Sequence, residues 1–107
     1  MKTFTHEEIL ERYDKLPDAV KDAMMEEATA QKMSAIGKMH GLLIDKVGIM
    51  AEETGYVMLG LEHPNDFVEN LKSALEVPED KAIAIAQDIN SQVFKPIREH
   101  LLDIHKI

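Results

Sequence analysis

One apolar stripe runs through the C-terminal part of the chain and stays in helical phase from Ala82 to Ile104. Its members recur every three or four residues, which is the spacing of one face of an α-helix. They are Ala82, Ile85, Ala86, Ile89, Val93, Ile97, Leu101 and Ile104. Pro96 lies inside the stripe and cannot donate a backbone hydrogen bond to Gln92, so it predicts a bend. Because the phase continues across the proline, the pattern predicts one long, kinked helix.

Shorter helices account for the beginning of the chain. Thr5 and Glu8 have the spacing of a capping box, and Phe4 and Ile9 have the spacing of a hydrophobic staple. These signals predict a first helix over residues 6–14. Pro17 then ends it and suits the first turn of a second helix.

Residues 18–40 fit either one helix or two. Val20, Met24, Ala28, Ala35 and Met39 share a face at helical spacing, and Gly41 is a natural stop in the left-handed conformation. The polar residues Glu26, Glu27 and Thr29 near the middle favour a break there.

The segment after Gly41 has the same kinds of helix-start signal as the first helix. Asp45 is a potential cap, Ile44 and Ile49 are spaced as a staple, and Gly55 predicts the end of a short helix near Thr54. The apolar run over residues 56–61 has the length of a buried strand, but the sequence offers it no partner strand. We therefore expect a buried helical turn.

Two further prolines open helices at Pro64 and after Val77-Pro78. The 107 residues are 45% hydrophobic, enough for the core of one domain over residues 1–107. The predicted fold is all-α: a compact bundle of five or six mostly short helices around the long, proline-kinked C-terminal helix.

Composition excludes several classes of function. The chain has 12 basic and 20 acidic residues, a net charge of −8, which disfavours binding to nucleic acid. It contains no cysteine, so disulfides and thiolate chemistry are excluded. No apolar run approaches the roughly 20 residues that a membrane span requires, and the beginning lacks the pattern of a signal peptide. We therefore expect a cytoplasmic protein.

A helix-turn-helix is the most distinct motif. Ala51 and Gly55, followed by an apolar residue, match its turn. The helix that follows must present basic or amide side chains to the bases, but residues 57–66 contain no Lys or Arg. A helix-turn-helix regulator is therefore kept as the alternative function. The simpler interpretation of the motif is a corner between two helices with a purely structural role.

The sequence contains no residue pattern that predicts a catalytic or metal site. The histidines lack the helical spacing of metal ligands, and we interpret them as residues of helix ends or the surface. They are His6, His40, His63, His100 and His105. The acidic pairs Glu26-Glu27, Glu52-Glu53 and Glu79-Asp80 are adjacent residues that point in different directions on a helix, so we expect solvated faces or first turns. We expect no enzymatic activity and no cofactor.

Methionine is unusually frequent, with seven in the chain. Met24, Met39 and Met58 are best explained as core residues. Met25 and Ile36 share a side away from the main stripe of residues 18–40 and are the predicted partner-binding residues, whereas Met33 lies on another side. An acidic protein with a Met-lined groove suits a basic amphipathic helix as its partner.

Three segments, at residues 40–48, 51–61 and 86–99, resemble a small helical module of uncharacterised proteins from uncultured bacteria. The resemblance covers most of the chain from about Thr29 onward. It implies a bacterial, cytoplasmic, helical context and brings no activity or ligand. The sequence as a whole predicts a non-enzymatic protein-interaction module, either an adaptor or a self-associating subunit such as a homodimer.

Overall fold

The computed structural model describes residues 4–106, and within this range every regular element is helical. The predicted all-α fold is confirmed. The α-helices are α1 (His6–Asp14), α2 (Asp18–Met25), α3 (Glu27–Met39), α4 (Ile44–Met58), α5 (Phe67–Leu75), α6 (Glu79–Ile89) and α7 (Arg98–His105). A 3₁₀ turn (Pro64–Asp66) precedes α5, and a π turn (Asn90–Phe94) and a second 3₁₀ turn (Lys95–Ile97) join α6 to α7.

Helix α1 begins at its predicted capping box. The Glu8 amide donates to the Thr5 hydroxyl at 3.1 Å, and the Thr5 amide donates to the Glu8 carboxylate at 3.2 Å. Both bonds satisfy amides that the first turn of a helix leaves without partners. Phe4 lies edge-on to the ring of Tyr56, with 4.8 Å between ring centroids, so the entry to α1 is attached to α4.

Residues 18–40 form two helices, as the polar residues near the middle predicted. Glu26 is extended, with φ −68° and ψ 135°, and separates α2 from α3. The break changes which side chains are buried: Val20 is in the core, but Met39 is 69% exposed and is not the core residue predicted. Helix α3 buries Met33, Ile36 and Gly37 instead, because its face is set independently of that of α2.

Helix α3 ends at the predicted glycine. Gly41 has φ +69°, a conformation that costs other residues about 1–2 kcal/mol. The Leu42 amide donates to the Gly37 carbonyl and the Gly41 amide to the Lys38 carbonyl, the pair of bonds that defines a Schellman motif.

The predicted end of α4 is wrong. The helix continues through Gly55 to Met58, and the stop is Gly60, with φ +79°. A glycine inside a helix costs about 1 kcal/mol, whereas burying Tyr56, Val57 and Met58 contributes more, about 1.5–3 kcal/mol for each large apolar side chain. Since Gly55 is helical, α4 has no turn at this position, and the helix-turn-helix interpretation loses the turn on which it depends.

The predicted cap and staple of α4 are also wrong. The helix begins at Ile44 after Leu43, no side chain caps it, and Asp45 is one residue inside. Ile44 is 91% exposed and therefore cannot pin the helix entry by burial. The prediction failed because it placed the cap at Asp45, two residues after the actual N-cap Leu43.

The long C-terminal helix is confirmed, and α6, the two turns and α7 together span Glu79–His105. The bend at Pro96 is distributed over the π turn and the 3₁₀ turn, which loosen and then tighten the backbone. Pro96 leaves the Gln92 carbonyl without the amide partner of a regular α-helix. The Lys32 ammonium of α3 donates to that carbonyl at 3.3 Å, so a neighbouring helix supplies the missing donor.

The core forms one cluster around the C-terminal helix. Of the predicted stripe, Ala82, Ile85 and Ile89 are fully buried and Ile104 is half-buried. Met50 of α4 and Leu71 of α5 are also completely buried within this cluster. No helix of the described residues has both the length and the apolarity required to cross a bilayer.

Candidate functional site

The two predicted partner-binding residues lie in different environments. Met25, the last residue of α2, is 75% exposed and remains available for contact. Ile36 is 1% exposed and packs in the core, so its assignment to a contact surface is wrong. The reason is the break at Glu26, which ends the continuous helical face on which the two residues were placed together.

A groove opens between α2, α3 and α4, and we call it the methionine groove. Its volume is about 270 Å³, and none of its lining side chains is charged. The lining residues are Met24, Thr29, Ala30, Met33, Val47, Gly48, Ala51, Thr54, Gly55 and Met58. Thioether side chains from three helices therefore surround one apolar space, and such side chains adapt readily to the shape of a ligand.

Helix α4 supplies the small residues of this groove. Gly48, Ala51 and Gly55 follow one another at three- and four-residue spacing and so lie along one side of the helix. A Cβ atom added at Gly48 would meet no atom within 4 Å, which shows that this part of the groove is open. The spacing is visible in the sequence, but it identifies a groove only once α4 is known to continue through Gly55.

The helices on either side of the groove cross tightly at one point. A Cβ atom at Gly37 of α3 would overlap the Val47 side chain of α4. Beyond this crossing, at the turn between the two helices, Met39, Leu43 and Ile44 are strongly exposed. Ile44 lies one turn before Gly48, so the exposed apolar surface of α4 continues from the helix start into the groove.

A pair of buried carboxyl groups lies on the other side of α4. Glu53 and Glu62 are each 4% exposed, so the prediction that Glu53 belongs to a solvated face is wrong. The Asn70 amide of α5 donates to Glu62 Oε2 at 2.6 Å, whereas Glu53 Oε2 has no hydrogen-bond partner. Burial, and then the hydrogen bond and charge of Glu62, raise the pKa of Glu53 to about 8.

With this raised pKa, Glu53 keeps its proton at neutral pH, because a second buried negative charge beside Glu62 would carry a large penalty. Next to it, the Tyr56 hydroxyl donates to Glu52 Oε1 at 2.6 Å, and burial together with this carboxylate raises the pKa of Tyr56. The sequence signal that could have predicted the burial of Glu53 is its position three residues after Met50 and four before Val57. Both of these residues are fully buried.

Two of the histidines connect helices. His40 Nε2 lies 2.6 Å from Asp88 Oδ2 and joins the end of α3 to α6. His105 Nε2 lies 2.8 Å from the Val57 carbonyl near the end of α4, and burial lowers the pKa of His105. His63 accepts a hydrogen bond from the Asn65 amide. Within residues 4–106 no three His, Asp or Glu side chains converge in a way that could hold a metal ion.

Comparisons of the chain with protein-family models, curated proteins and solved structures find no match.

Proposed function

We propose that the protein is a helical protein-interaction module that binds an amphipathic helix of a partner protein in the methionine groove. The observation that carries this proposal is the open, uncharged groove in which Met24, Met33 and Met58 meet small residues of α4. Flexible thioethers beside an exposed small-residue surface suit an apolar helix face, which is one of the common modes of peptide recognition.

The size of the groove supports a side chain as its occupant. At about 270 Å³ it is smaller than the roughly 300–1,000 Å³ of typical small-molecule sites. It suits one large apolar side chain, such as Leu or Phe, inserted from a helix that lies along α4. Gly48 and Ala51 are exposed and have little or no side chain, so they let the backbone of that helix approach closely.

Exposed apolar residues extend the surface beyond the groove. Met25 is exposed and follows the lining residue Met24 at the end of α2, and Ile44 lies one turn before Gly48 at the start of α4. These two residues are the secondary contacts in the proposal, and Met25 keeps its predicted role. The proposal includes no catalytic step and no cofactor, and it retains the cytoplasm as the location.

The methionine methyl groups provide the test. Three helical peptides share one apolar stripe with a central Leu and differ only in flanking residues, which are all Gln, all Lys or all Glu. Each is titrated into the full chain labelled with ¹³C at the methionine methyl groups. We expect the signals of Met24, Met33 and Met58 to shift with at least one peptide, while Met50, which is fully buried outside the groove, stays in place.

A matched pair of variants locates the binding. Gly48→Leu fills the open part of the groove and should abolish the shifts, whereas Gly48→Ala leaves the groove open and should retain them. If no peptide shifts the groove methyl groups, the proposed function is wrong. Concentration-dependent dimerisation that Gly48→Leu abolishes and Gly48→Ala retains, measured by light scattering, would instead assign the groove to a second copy of this chain.

A further inference from the structure

We infer that the partner helix is basic, with Lys or Arg residues on both flanks of the apolar stripe that enters the methionine groove. This inference rests on the proposed function of the groove and adds the chemistry of its partner. It is carried by the charged residues around the groove and by the directions in which two bordering lysines point.

Acidic residues surround the open part of the groove. Glu26 and Glu27 lie four and three residues before Ala30, at the start of α3, and are exposed. Asp45 lies three residues before Gly48 on α4 and is also exposed. Residues three and four apart are neighbours on a helix surface, so these carboxylates border the groove from two sides.

Two lysines lie at the same spacing from lining residues, and both make contacts with other parts of the molecule. Lys32, three residues after Thr29, donates to the Gln92 carbonyl of the π turn at 3.3 Å. Lys21, three residues before Met24, holds its ammonium 5.5 Å from the centre of the Tyr13 ring on α1. Their charges are therefore directed toward the C-terminal helix and α1.

The lysine of α4, Lys46, does not border the groove either. Lys46 is two residues from Gly48, a separation that places it away from the side of the helix that faces the groove. The border of the groove is thus acidic. Charged groups at the border of an interface mainly set the choice of partner and the association rate, and their effect weakens with salt. A helix with basic flanks complements this border, whereas an acidic helix or a second acidic chain is repelled.

The three peptides of the groove experiment test the inference by fluorescence anisotropy with the full chain. We expect the Lys-flanked peptide to bind at least tenfold more tightly than the Gln-flanked peptide at low salt, and the Glu-flanked peptide to bind most weakly. The difference should narrow at about 0.5 M salt, where the screening length falls to a few ångströms. The shared apolar stripe should keep the Gln-flanked peptide measurably bound.

A charge-matched pair of protein variants separates the border of the groove from the net charge of the molecule. One variant carries Glu26→Gln, Glu27→Gln and Asp45→Asn. The control carries Glu69→Gln, Glu79→Gln and Asp80→Asn, which lie in the first turns of α5 and α6. Both lose three negative charges. We expect the border variant to weaken binding of the Lys-flanked peptide at least fivefold and the control less than twofold.

Two outcomes would overturn the inference and leave the groove as a binding site: equal binding of the three peptides at the groove methyl groups, or equal weakening by the border variant and its control. Loss of all methyl shifts in the groove would overturn the proposed function as well. Circular dichroism melting of each variant verifies that it is folded before binding is compared.

Discussion

At the scale of single residues, the buried carboxyl group of Glu53 has the strongest thermodynamic consequence. The raised pKa of Glu53, about 8 against an ordinary 4.5, means that the folded protein holds a proton that the unfolded chain has already released. The stabilisation is complete below about pH 4.5 and is lost as the pH rises to about 8. Over that interval, this group lowers the free energy of unfolding by up to about 1.4 kcal/mol per pH unit.

We expect Glu53→Gln, which is neutral at every pH, to remove this slope and to be more stable than the natural protein above pH 8. Urea denaturation at several pH values from 7.5 to 9 measures the effect. The lowered pKa of His105 makes an opposite contribution that ends above the ordinary histidine pKa of 6.5, so this range isolates Glu53. The control Glu69→Gln neutralises an exposed glutamate and should retain the natural slope; a retained slope in Glu53→Gln would contradict the assignment.

At the scale of elements, two glycines on facing helices should respond oppositely to the same substitution. Gly37 of α3 lies against Val47 of α4, whose branched side chain has little freedom to move. Gly37→Ala should push the helices apart and destabilise the protein by about 1–3 kcal/mol. Gly48→Ala adds a methyl group in open space and should stabilise α4 by up to about 1 kcal/mol. Urea denaturation of both variants measures the difference, and equal signs would contradict the tight crossing.

The hydrogen bond from Lys32 of α3 to the Gln92 carbonyl also connects two elements. The C-terminal helix crosses Pro96 without ending because its free carbonyl finds a donor on α3 and its backbone takes up the bend in two irregular turns. A helix pattern in a sequence shows the continuity of the apolar stripe. It does not show which neighbouring side chain satisfies the carbonyl that the proline leaves free.

At the scale of the whole molecule, stability should be unevenly distributed. Helix α1 has no fully buried side chain, whereas α4, α5 and α6 contribute most of the completely buried residues. We therefore expect the amides of α1 to exchange with deuterium through local opening, and those of α4–α6 only through global unfolding. Exchange followed by NMR measures this. Thr5→Ala, which removes the capping box, should accelerate exchange in α1 alone, and uniform protection along the chain would contradict the prediction.

Much of the helical architecture was predictable because local signals specify it. The Thr5–Glu8 capping box, the break at Glu26 and the stop at Gly41 depend on residues within one or two turns of each other, and all three are confirmed. The stripe from Ala82 to Ile104 predicted the long helix for the same reason.

The end of α4 and the site were not predictable in this way. Whether Gly55 ends a helix or continues it depends on the burial of Tyr56 and Val57 by distant parts of the chain. The same is true of Ile36, which changes from a proposed contact to a core residue once α2 and α3 separate.

The sequence by itself therefore determined the helical class, most helix starts, the central C-terminal helix and the acidic character of the surface. Tertiary structure alone decided which side of each helix is buried, where the methionine groove opens, and that burial raises the pKa of Glu53. The physical reason is the distance along the chain over which each interaction acts. Capping, turn and periodicity signals act between neighbours in the chain, whereas burial and the electrostatics that follow from it depend on which helices meet in space.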